Sequence, residues 1–330
     1  MAEMWTRDGR KDGFERMKFG RQTTLGAQVS LSGIGVHSGE TANLTIGPAD
    51  ANSGYLFVRT GLSGGDREIR ARASAVTATD FATVLGDAAG PLVSTAEHVL
   101  AALRGMNVDN AIIEVDGPEI PILDGSAAPI VEAIAQAGVV AQSAPRRYIE
   151  VLRPVRAQFG QSFGELAPYA RGFRIDVEIA FDNPLIGRQH LACDLAPEGF
   201  RRDIARARTF GCMSDVAKLW SGGYARGASF ENSVVYDDVR VLNPEGLRYS
   251  DEFVRHKALD AIGDLALAGL PILGRYRSVR GGHKLNHAVL TALMADRSAW
   301  RVVEAAPARQ TRGHAGLVAG QVVPVYGPDV

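Results

Sequence analysis

The chain has 330 residues, which at roughly 150 residues per domain predicts about two domains. Its 46% hydrophobic and 22% charged residues form an ordinary globular balance, which excludes a mainly disordered chain and a coiled coil. The 36 Lys+Arg against 37 Asp+Glu leave a formal net charge of −1. That balance gives no global electrostatic reason to expect nucleic acid or an anionic membrane as the main partner.

Residues 1–21 are polar and interrupted by glycine, which predicts a flexible N-terminal tail. Met17 lies within this stretch and is an alternative translation start. The stretch lacks an apolar core of the length that a signal peptide needs, so we expect no secretory leader.

A first domain is expected over residues 22–145. Strand-like runs separated by Gly, Pro and Asp turns open it, at residues 28–31, 41–46 and 55–59. A helix is then predicted from Ser94 to Arg104, with an apolar strand over residues 108–115 and a second helix over residues 127–137 following it. The polar, proline-containing stretch 141–147 is the expected linker.

A second domain over residues 146–330 repeats this order of elements. Its predicted strands lie at residues 148–156, 163–167 and 173–179. Ser250 is expected to cap a long helix that runs through Ala268, and a strand over residues 272–279 and a helix over residues 286–295 follow. The similar order predicts two α+β domains of one plan, although residue-level similarity between the halves is weak.

The two cysteines, Cys193 and Cys212, are too few for a disulfide framework and form no C-x-x-C pair. No run in the sequence approaches the ~18 apolar residues that a transmembrane helix needs. We therefore expect a cytoplasmic protein without a transmembrane segment, and at most peripheral membrane contact.

The segment from Ser94 to Ala102 allows two interpretations. Ser94 and Glu97 match a capping box, in which the glutamate reaches back to the N–H of the capping residue. Alternatively, Glu97 is a general base beside a metal-binding His98. Because Ala102 stands four residues after His98, the segment is not the H-E-x-x-H zincin motif.

A second segment spaces His256, Asp260 and Asp264 four residues apart, which places them in one stripe of the predicted helix. The stripe is either a solvated helix face or a chelating pair one turn apart. Together with His98, the pair His256 and Asp260 makes a His₂Asp set, which leaves zinc an open fourth position as in catalytic sites. Sequence spacing does not decide whether the two segments meet.

Two further segments carry candidate residues. His283 follows two glycines, and it is either an exposed loop histidine or a proton donor. Residues 205–211 include Arg206, Arg208, Thr209 and Phe210, a composition that suits an anionic or sugar ligand and also an ordinary surface turn.

These segments belong to a wider pattern, in which the chain resembles the UDP-3-O-acyl-N-acetylglucosamine deacetylases. That family consists of zinc amidases that commit a sugar precursor to lipid A in Gram-negative bacteria. The resemblance covers roughly residues 23–303, in family order. The stretches that carry it are GIGVHSG (33–39), STAEH (94–98), residues 110–129, ARARTFG (205–211), VLNPEGLR (241–248), FVRHKALDAIGD (253–264) and GGHKLN (281–286).

The resemblance implies two similar domains, each a β-sheet with two helices, packed as a β-α-α-β sandwich with the helices between the sheets. A βαβ insert of the second domain, near residues 213–235, would form an apolar passage for an acyl chain. The resemblance also implies one Zn²⁺ per chain, with the ligands His98, His256 and Asp260.

The remaining roles are likewise implied by the family pattern. Glu97 would be the general base, and His283 the general acid, oriented by Asp264. Thr209 would help to hold the oxyanion. The residues expected to contact the substrate are Lys257 and Phe210.

The reaction implied by the resemblance removes the N-acetyl group of UDP-3-O-(3-hydroxyacyl)-N-acetylglucosamine, which is the committed step of lipid A biosynthesis. The expected partner is this small acylated UDP-sugar, with no nucleic acid and no obligate protein partner. Two alternatives are a zinc amidohydrolase acting on another acyl-amino sugar and a non-catalytic module that binds a sugar nucleotide. The long motif matches disfavour the first alternative, and the presence of both Glu97 and His283 disfavours the second.

Overall fold

The computed structural model describes residues 20–305. The predicted N-terminal tail lies outside the described residues except for Gly20 and Arg21, and Arg21 already belongs to the first strand. We number the strands β1–β19 and the helices α1–α6 in chain order.

The residues before Arg146 form one large sheet, two small ones and two helices. The large sheet has the strand order β2-β3-β9-β4-β5, in which only the β4–β9 pair is parallel. The strands β6-β7-β8 form an antiparallel meander, and β1 pairs with β10. The elements are β1 (Arg21–Leu25), β2 (Val29–Ile34), β3 (Thr41–Pro48), β4 (Tyr55–Arg59), β5 (Arg67–Arg70), β6 (Val76–Ala78), β7 (Val84–Asp87), β8 (Gly90–Val93), α1 (Glu97–Gly105), β9 (Ala111–Val115), α2 (Ala128–Ala137) and β10 (Val139–Pro145).

The residues after Arg146 form a seven-stranded sheet, a parallel strand pair and four helices. The central strand β18 pairs with β11, β13 and β14, and β12, β15 and β19 lie outside these. The elements are β11 (Arg147–Val151), β12 (Val155–Phe159), β13 (Ser162–Ala167), β14 (Phe173–Ala180), β15 (Arg188–Asp194), α3 (Pro197–Asp203), β16 (Phe210–Cys212), α4 (Val216–Ser221), β17 (Val234–Tyr236), α5 (Glu252–Ala266), β18 (Ile272–Val279), α6 (His283–Ala295) and β19 (Trp300–Glu304).

Four helices lie between the two large sheets. Helix α2 packs on β2 of the first sheet, whereas α5 packs on β14 and β15 and α6 packs on β12 and β13 of the second. Helices α1 and α5 contact each other most extensively, and α1 also packs on α2. The apolar side chains of both halves join in one buried core. The predicted α+β fold, a sandwich of helices between sheets, is confirmed.

Helices α1 and α5 cross very closely at Gly263. A Cβ atom at this position would lie 2.0 Å from the backbone oxygen of Glu97, so only glycine fits. The crossing brings the N-terminal turn of α1 against the middle of α5, and both segments carry predicted site residues.

Residues 141–147, predicted as a linker, do not form a loop, so this prediction is wrong. Residues Val139–Pro145 form β10, which pairs with β1, and β11 begins at Arg147, so Arg146 alone separates the two strands. No sheet within the described part of the chain mixes strands from before and after Arg146. The division into domains near this residue stays a prediction.

Several element boundaries also differ from the prediction, and three of them illustrate the reasons. The strand predicted over residues 148–156 is broken between Val151 and Val155, where Pro154 has no backbone N–H to donate. Helix α5 begins at Glu252 after Asp251 rather than after a Ser250 cap. Helix α6 begins at His283 rather than at residue 286.

Among residues 20–305, no helix is both long enough and apolar enough to cross a membrane.

The interpretation of Arg208 as a ligand-binding arginine is wrong. Its side chain is 1% exposed, and its Nε donates to Glu252 Oε1 over 2.9 Å. The backbone N–H of Arg208 donates to the same carboxylate oxygen over 3.0 Å, and Nη2 donates to the carbonyl of Gly246. Arg208 therefore fastens the segment before β16 to the first turn of α5, whereas Arg206 is exposed.

We expect Arg208→Met to lower the free energy of unfolding by about 3–5 kcal/mol, because it leaves the buried Glu252 carboxylate without its cation. Urea denaturation measures the change. The exposed neighbour Arg206→Met is the matched control and should stay within about 0.5 kcal/mol of the wild type. An Arg208→Met protein as stable as the control would contradict the assigned role.

Candidate active site

The N-terminus of α1 places Glu97 and His98 at the junction of the two halves. The preceding Thr95 has a φ of 59°, and its Oγ1 donates to Glu119 Oε1 over 2.7 Å, which fixes the turn into the helix. No side chain caps α1, and Glu97 Oε2 instead accepts a hydrogen bond from the backbone N–H of Thr83 over 2.9 Å. The capping-box interpretation of Ser94 and Glu97 is therefore wrong.

His98, His256 and Asp260 come together as a possible metal site. One ligand atom from each lies within 4.8 Å of the other two. Asp260 Oδ1 is 3.8 Å from His98 Nε2 and 3.4 Å from His256 Nε2. All three side chains are buried, so the alternative of a solvated helix face is wrong.

The hydrogen bonds of these residues leave one ligand atom free on His256 and one on Asp260. His256 Nδ1 lies 3.0 Å from the carbonyl of Ala207, so it carries the proton and Nε2 keeps its lone pair. Lys257 Nζ donates to Asp260 Oδ2 over 2.8 Å. Asp260 Oδ1 is buried without a hydrogen-bond partner among residues 20–305. A bound cation would satisfy this oxygen, and two imidazoles with one carboxylate form a donor set that suits zinc.

Burial also prepares the ligands for a metal. It lowers the pKa of His98 to about 3 and the pKa of His256 below its usual range, so both rings are neutral. Burial alone raises the pKa of Asp260, but the charged Lys257 and His283 outweigh it and hold that pKa well below the ordinary value. The set therefore has the protonation states that metal binding requires.

The carboxylate of Glu97 is suited to accept a proton near neutral pH. Burial raises its pKa to about 7, and the nearby His283 opposes this shift only in part. A general base works best when its pKa lies near the operating pH. Its Oε1 faces His283 Nε2 across 4.0 Å, on the side where the ligands lie.

His283 is 8% exposed and opens helix α6, so the alternative of an exposed loop histidine is wrong. Its Nδ1 lies 2.9 Å from Asp264 Oδ2, and its Nε2 lies 3.9 Å from Asp260 Oδ2. Burial lowers the pKa of His283, but the Asp264 and Glu97 carboxylates outweigh this and raise it to about 9. The imidazole is therefore charged at neutral pH.

Sequence reasoning missed two residues that hold these groups in place. Thr83 donates its backbone N–H to Glu97 and its hydroxyl to Asp264 Oδ1 over 2.6 Å. Asn286 donates to Asp264 Oδ2 over 2.8 Å and accepts from the hydroxyl of Tyr276. Asn286 stands inside the quoted GGHKLN stretch, whereas no motif marks Thr83.

A cavity of about 240 Å³ opens onto this cluster. Its wall includes the predicted Thr209, Phe210 and Lys257, whereas Asp264 lies behind His283 and outside the wall. Lys257 Nζ lies 5.6 Å from the centre of the Phe210 ring. The wall also includes His37, to which sequence reasoning gave no role although it stands in the GIGVHSG stretch.

A second, more apolar cavity of about 270 Å³ lies beside the first and shares wall residues with it. The parallel strands β16 and β17, with α4 between them, surround it. Its wall residues are Met213, Val216, Trp220, Ala225, Ala228, Ser229, Phe230 and Val235.

Comparison of the sequence with known proteins shows the family to which the chain belongs. The family model described as "LpxC: UDP-3-O-acyl N-acetylglycosamine deacetylase" matches residues 22–295. The chain belongs to this deacetylase family. Proteins named UDP-3-O-acyl-N-acetylglucosamine deacetylase from Brucella ovis and Brucella abortus are 49% identical to it over 285 residues, which cover 86% of this chain and 99% of each relative. A protein of the same name from Brucella melitensis is 48% identical over the same coverage. The deacetylase motifs expected from the sequence thus extend over most of the chain.

We expect His98→Ala and Asp260→Ala to lose most of the metal that the deacetylase binds, because each removes one of three protein ligands. Metal analysis of the dialysed proteins measures the effect. His190→Ala is a matched control, because His190 is exposed and pairs with Asp176 away from the cavity. Full metal content in both ligand variants would refute the assignment.

Proposed function

We propose that this chain is a zinc-dependent deacetylase that removes the N-acetyl group of UDP-3-O-(3-hydroxyacyl)-N-acetylglucosamine in the cytoplasm and releases acetate. The product is UDP-3-O-(3-hydroxyacyl)-glucosamine, and the reaction is the committed step of lipid A biosynthesis. Family membership and the names of the relatives support the reaction. The two unbonded cysteines fit a reducing compartment.

The observation that carries the proposal is the juxtaposition of a ligand set with a base and an acid. Within residues 20–305, Asp260 Oδ1 lies beside His98 and His256 without a hydrogen-bond partner, while Glu97 and the charged His283 face the same space. Amide hydrolysis needs these groups together, because water is a poor nucleophile and an amine leaves poorly without a proton.

His98, His256 and Asp260 would hold one zinc ion per chain, which would supply Lewis acidity toward water and a carbonyl group. Glu97 takes the proton of the attacking water, for which its pKa of about 7 is well placed. Lys257, hydrogen-bonded to Asp260, keeps that carboxylate ionised and oriented.

Thr209 and His283 act on the oxyanion and on the leaving amine, respectively. The hydroxyl of Thr209, in the wall of the cavity, stabilises the oxyanion that develops as water attacks the acetyl carbonyl. His283 donates the proton of its Nε2 to the leaving amine, and Asp264 holds its Nδ1 so that the imidazole stays charged. The departing amine is therefore neutral.

The walls of the two adjoining cavities fit the two parts of an acylated UDP-sugar. The apolar cavity around β16, α4 and β17 takes the acyl chain, because its wall is almost entirely apolar. Phe210 and Lys257, which both line the cavity at the candidate metal ligands, contact the sugar end of the substrate. The substrate is a small molecule, and the proposal requires no nucleic acid and no protein partner.

The direct test of the function is acetate release from UDP-3-O-(3-hydroxyacyl)-N-acetylglucosamine by the zinc-loaded protein. We expect Glu97→Ala to lower turnover by about 10²–10⁴-fold while zinc content stays unchanged, because the base is not a ligand. The exposed Glu132→Ala is the control and should retain turnover. Near-normal turnover in Glu97→Ala would show that the base lies elsewhere.

The pH dependence of kcat/KM should be bell-shaped, with its basic limb set by loss of the His283 proton near pH 9. Asp264→Asn removes the carboxylate that favours the imidazolium, so the basic limb should move to lower pH, toward the ~6.5 of an ordinary histidine. The acidic limb, set by Glu97, should move less, since Asp264 contributes less to the pKa of Glu97 than burial does.

The exposed Asp80→Asn on the loop before Thr83 is the control for the pH profile and should leave both limbs in place. His283→Gln should lower turnover strongly at every pH with zinc content unchanged. A basic limb that does not move in Asp264→Asn would mean that this carboxylate does not sustain the charge of the acid.

A further inference from the structure

A third cavity, of about 280 Å³, lies where the C-terminal end of α1 meets the second sheet. Its wall includes three arginines, Arg21, Arg104 and Arg146, but no aspartate or glutamate. It shares no wall residue with the cavity at the metal ligands. The cavity is therefore a separate, cationic space that the deacetylation chemistry does not use.

Arg104 is the buried centre of this space. Its side chain is 7% exposed, and its Nε and Nη1 have no hydrogen-bond partner among the described residues. Asp109 Oδ1 lies 3.9 Å from Arg104 Nη1, beyond hydrogen-bond distance. The guanidinium instead lies 5.2 Å from the centre of the Tyr55 ring.

The carboxylate of Asp109 is already engaged by other donors. Arg146 Nε donates to Oδ1 over 2.9 Å, and the backbone N–H of Thr23 donates to Oδ2 over 3.0 Å. Arg21, at the rim, donates to the carbonyl of Ser143 and has no acidic partner among residues 20–305. Arg104 and Arg146 thus share the one carboxylate of Asp109, and a buried cation in this situation favours an anion.

The rest of the wall indicates what kind of anion fits. Guanidinium groups match phosphate oxygens in geometry and charge. Apolar side chains cover the remaining wall and suit an organic group attached to the anion. These side chains are Phe173, Leu195, Pro197, Ile272 and Leu273.

We propose that this cavity binds a phosphate group, carried by inorganic phosphate or by a small phosphate monoester, with Arg104 as the central ligand. Arg104 stands on the same helix as Glu97 and His98, whereas Tyr148 and Leu273 in the wall belong to the second half. A ligand here touches both halves of the molecule. It therefore stabilises their packing at a distance from the metal ligands.

The test compares the zinc-loaded full chain in phosphate and in chloride buffers of equal pH and ionic strength. Phosphate should raise Tm by several degrees, because it binds the folded state alone. Arg104→Met should abolish that rise and weaken phosphate binding, measured by calorimetry, at least tenfold. In chloride, Arg104→Met should be no less stable than the wild type, because it removes a buried charge whose Nε and Nη1 have no hydrogen-bond partner among the described residues.

Two further variants keep the result interpretable. Arg188→Met, on a side chain that is 74% exposed and outside the cavity wall, should keep the full phosphate effect. Arg104→Lys, which keeps the charge but loses the planar fork, should bind phosphate more weakly than the wild type and serves if Arg104→Met fails to fold. Deacetylation in phosphate-free buffer should be unchanged in Arg104→Met.

Glycerol phosphate distinguishes the two sources of the phosphate group. Tighter binding than inorganic phosphate assigns the site to a monoester, and equal or weaker binding assigns it to inorganic phosphate. An equal phosphate effect in the wild type and in Arg104→Met would overturn the proposal, because the anion would then bind elsewhere. A loss of stability in Arg104→Met that is the same in both buffers would also overturn it, because Arg104 would then be purely structural.

Discussion

The close crossing of α1 and α5 at Gly263 is the constraint on which the site depends. A side chain at Gly263 would collide with the backbone of Glu97, so the absence of one allows the two helices to touch. This contact brings His98, the second residue of α1, to His256 and Asp260, which lie one turn apart on α5. The candidate metal site is thus a direct product of helix packing rather than of a flexible loop.

A second constraint is electrostatic. Glu97, Asp260, Asp264 and His283 are all buried, and each would be costly there alone. Their hydrogen bonds give them different environments: the Asp264 carboxylate accepts from the side chains of both Thr83 and Asn286, whereas the Glu97 carboxylate accepts from the backbone N–H of Thr83. Because of this asymmetry, Glu97 is suited to accept a proton near neutral pH, whereas the charged His283 is suited to donate one.

Much of this arrangement was predictable because local patterns carry it. The spacing of His256, Asp260 and Asp264 predicts one helix face, and the family resemblance joins that face to His98. Thr83 could not be predicted in this way, since it acts through its own backbone and hydroxyl across 181 residues to Asp264. The role of Arg208 could not be predicted either, because its ion-pair partner is distant in sequence. An arginine near a glycine resembles a ligand contact, and its buried partner Glu252 lies 44 residues away.

The division of the ligand set between the two halves has a consequence for folding. Among residues 20–305, neither half alone contributes the whole candidate set, so metal affinity would report on how well the halves are docked. By thermodynamic linkage, any change that loosens the α1–α5 contact weakens metal binding, and removal of the ion loosens the contact by the same free energy. Metal content can therefore serve as a gauge of interdomain association in variants whose substitutions lie far from His98, His256 and Asp260.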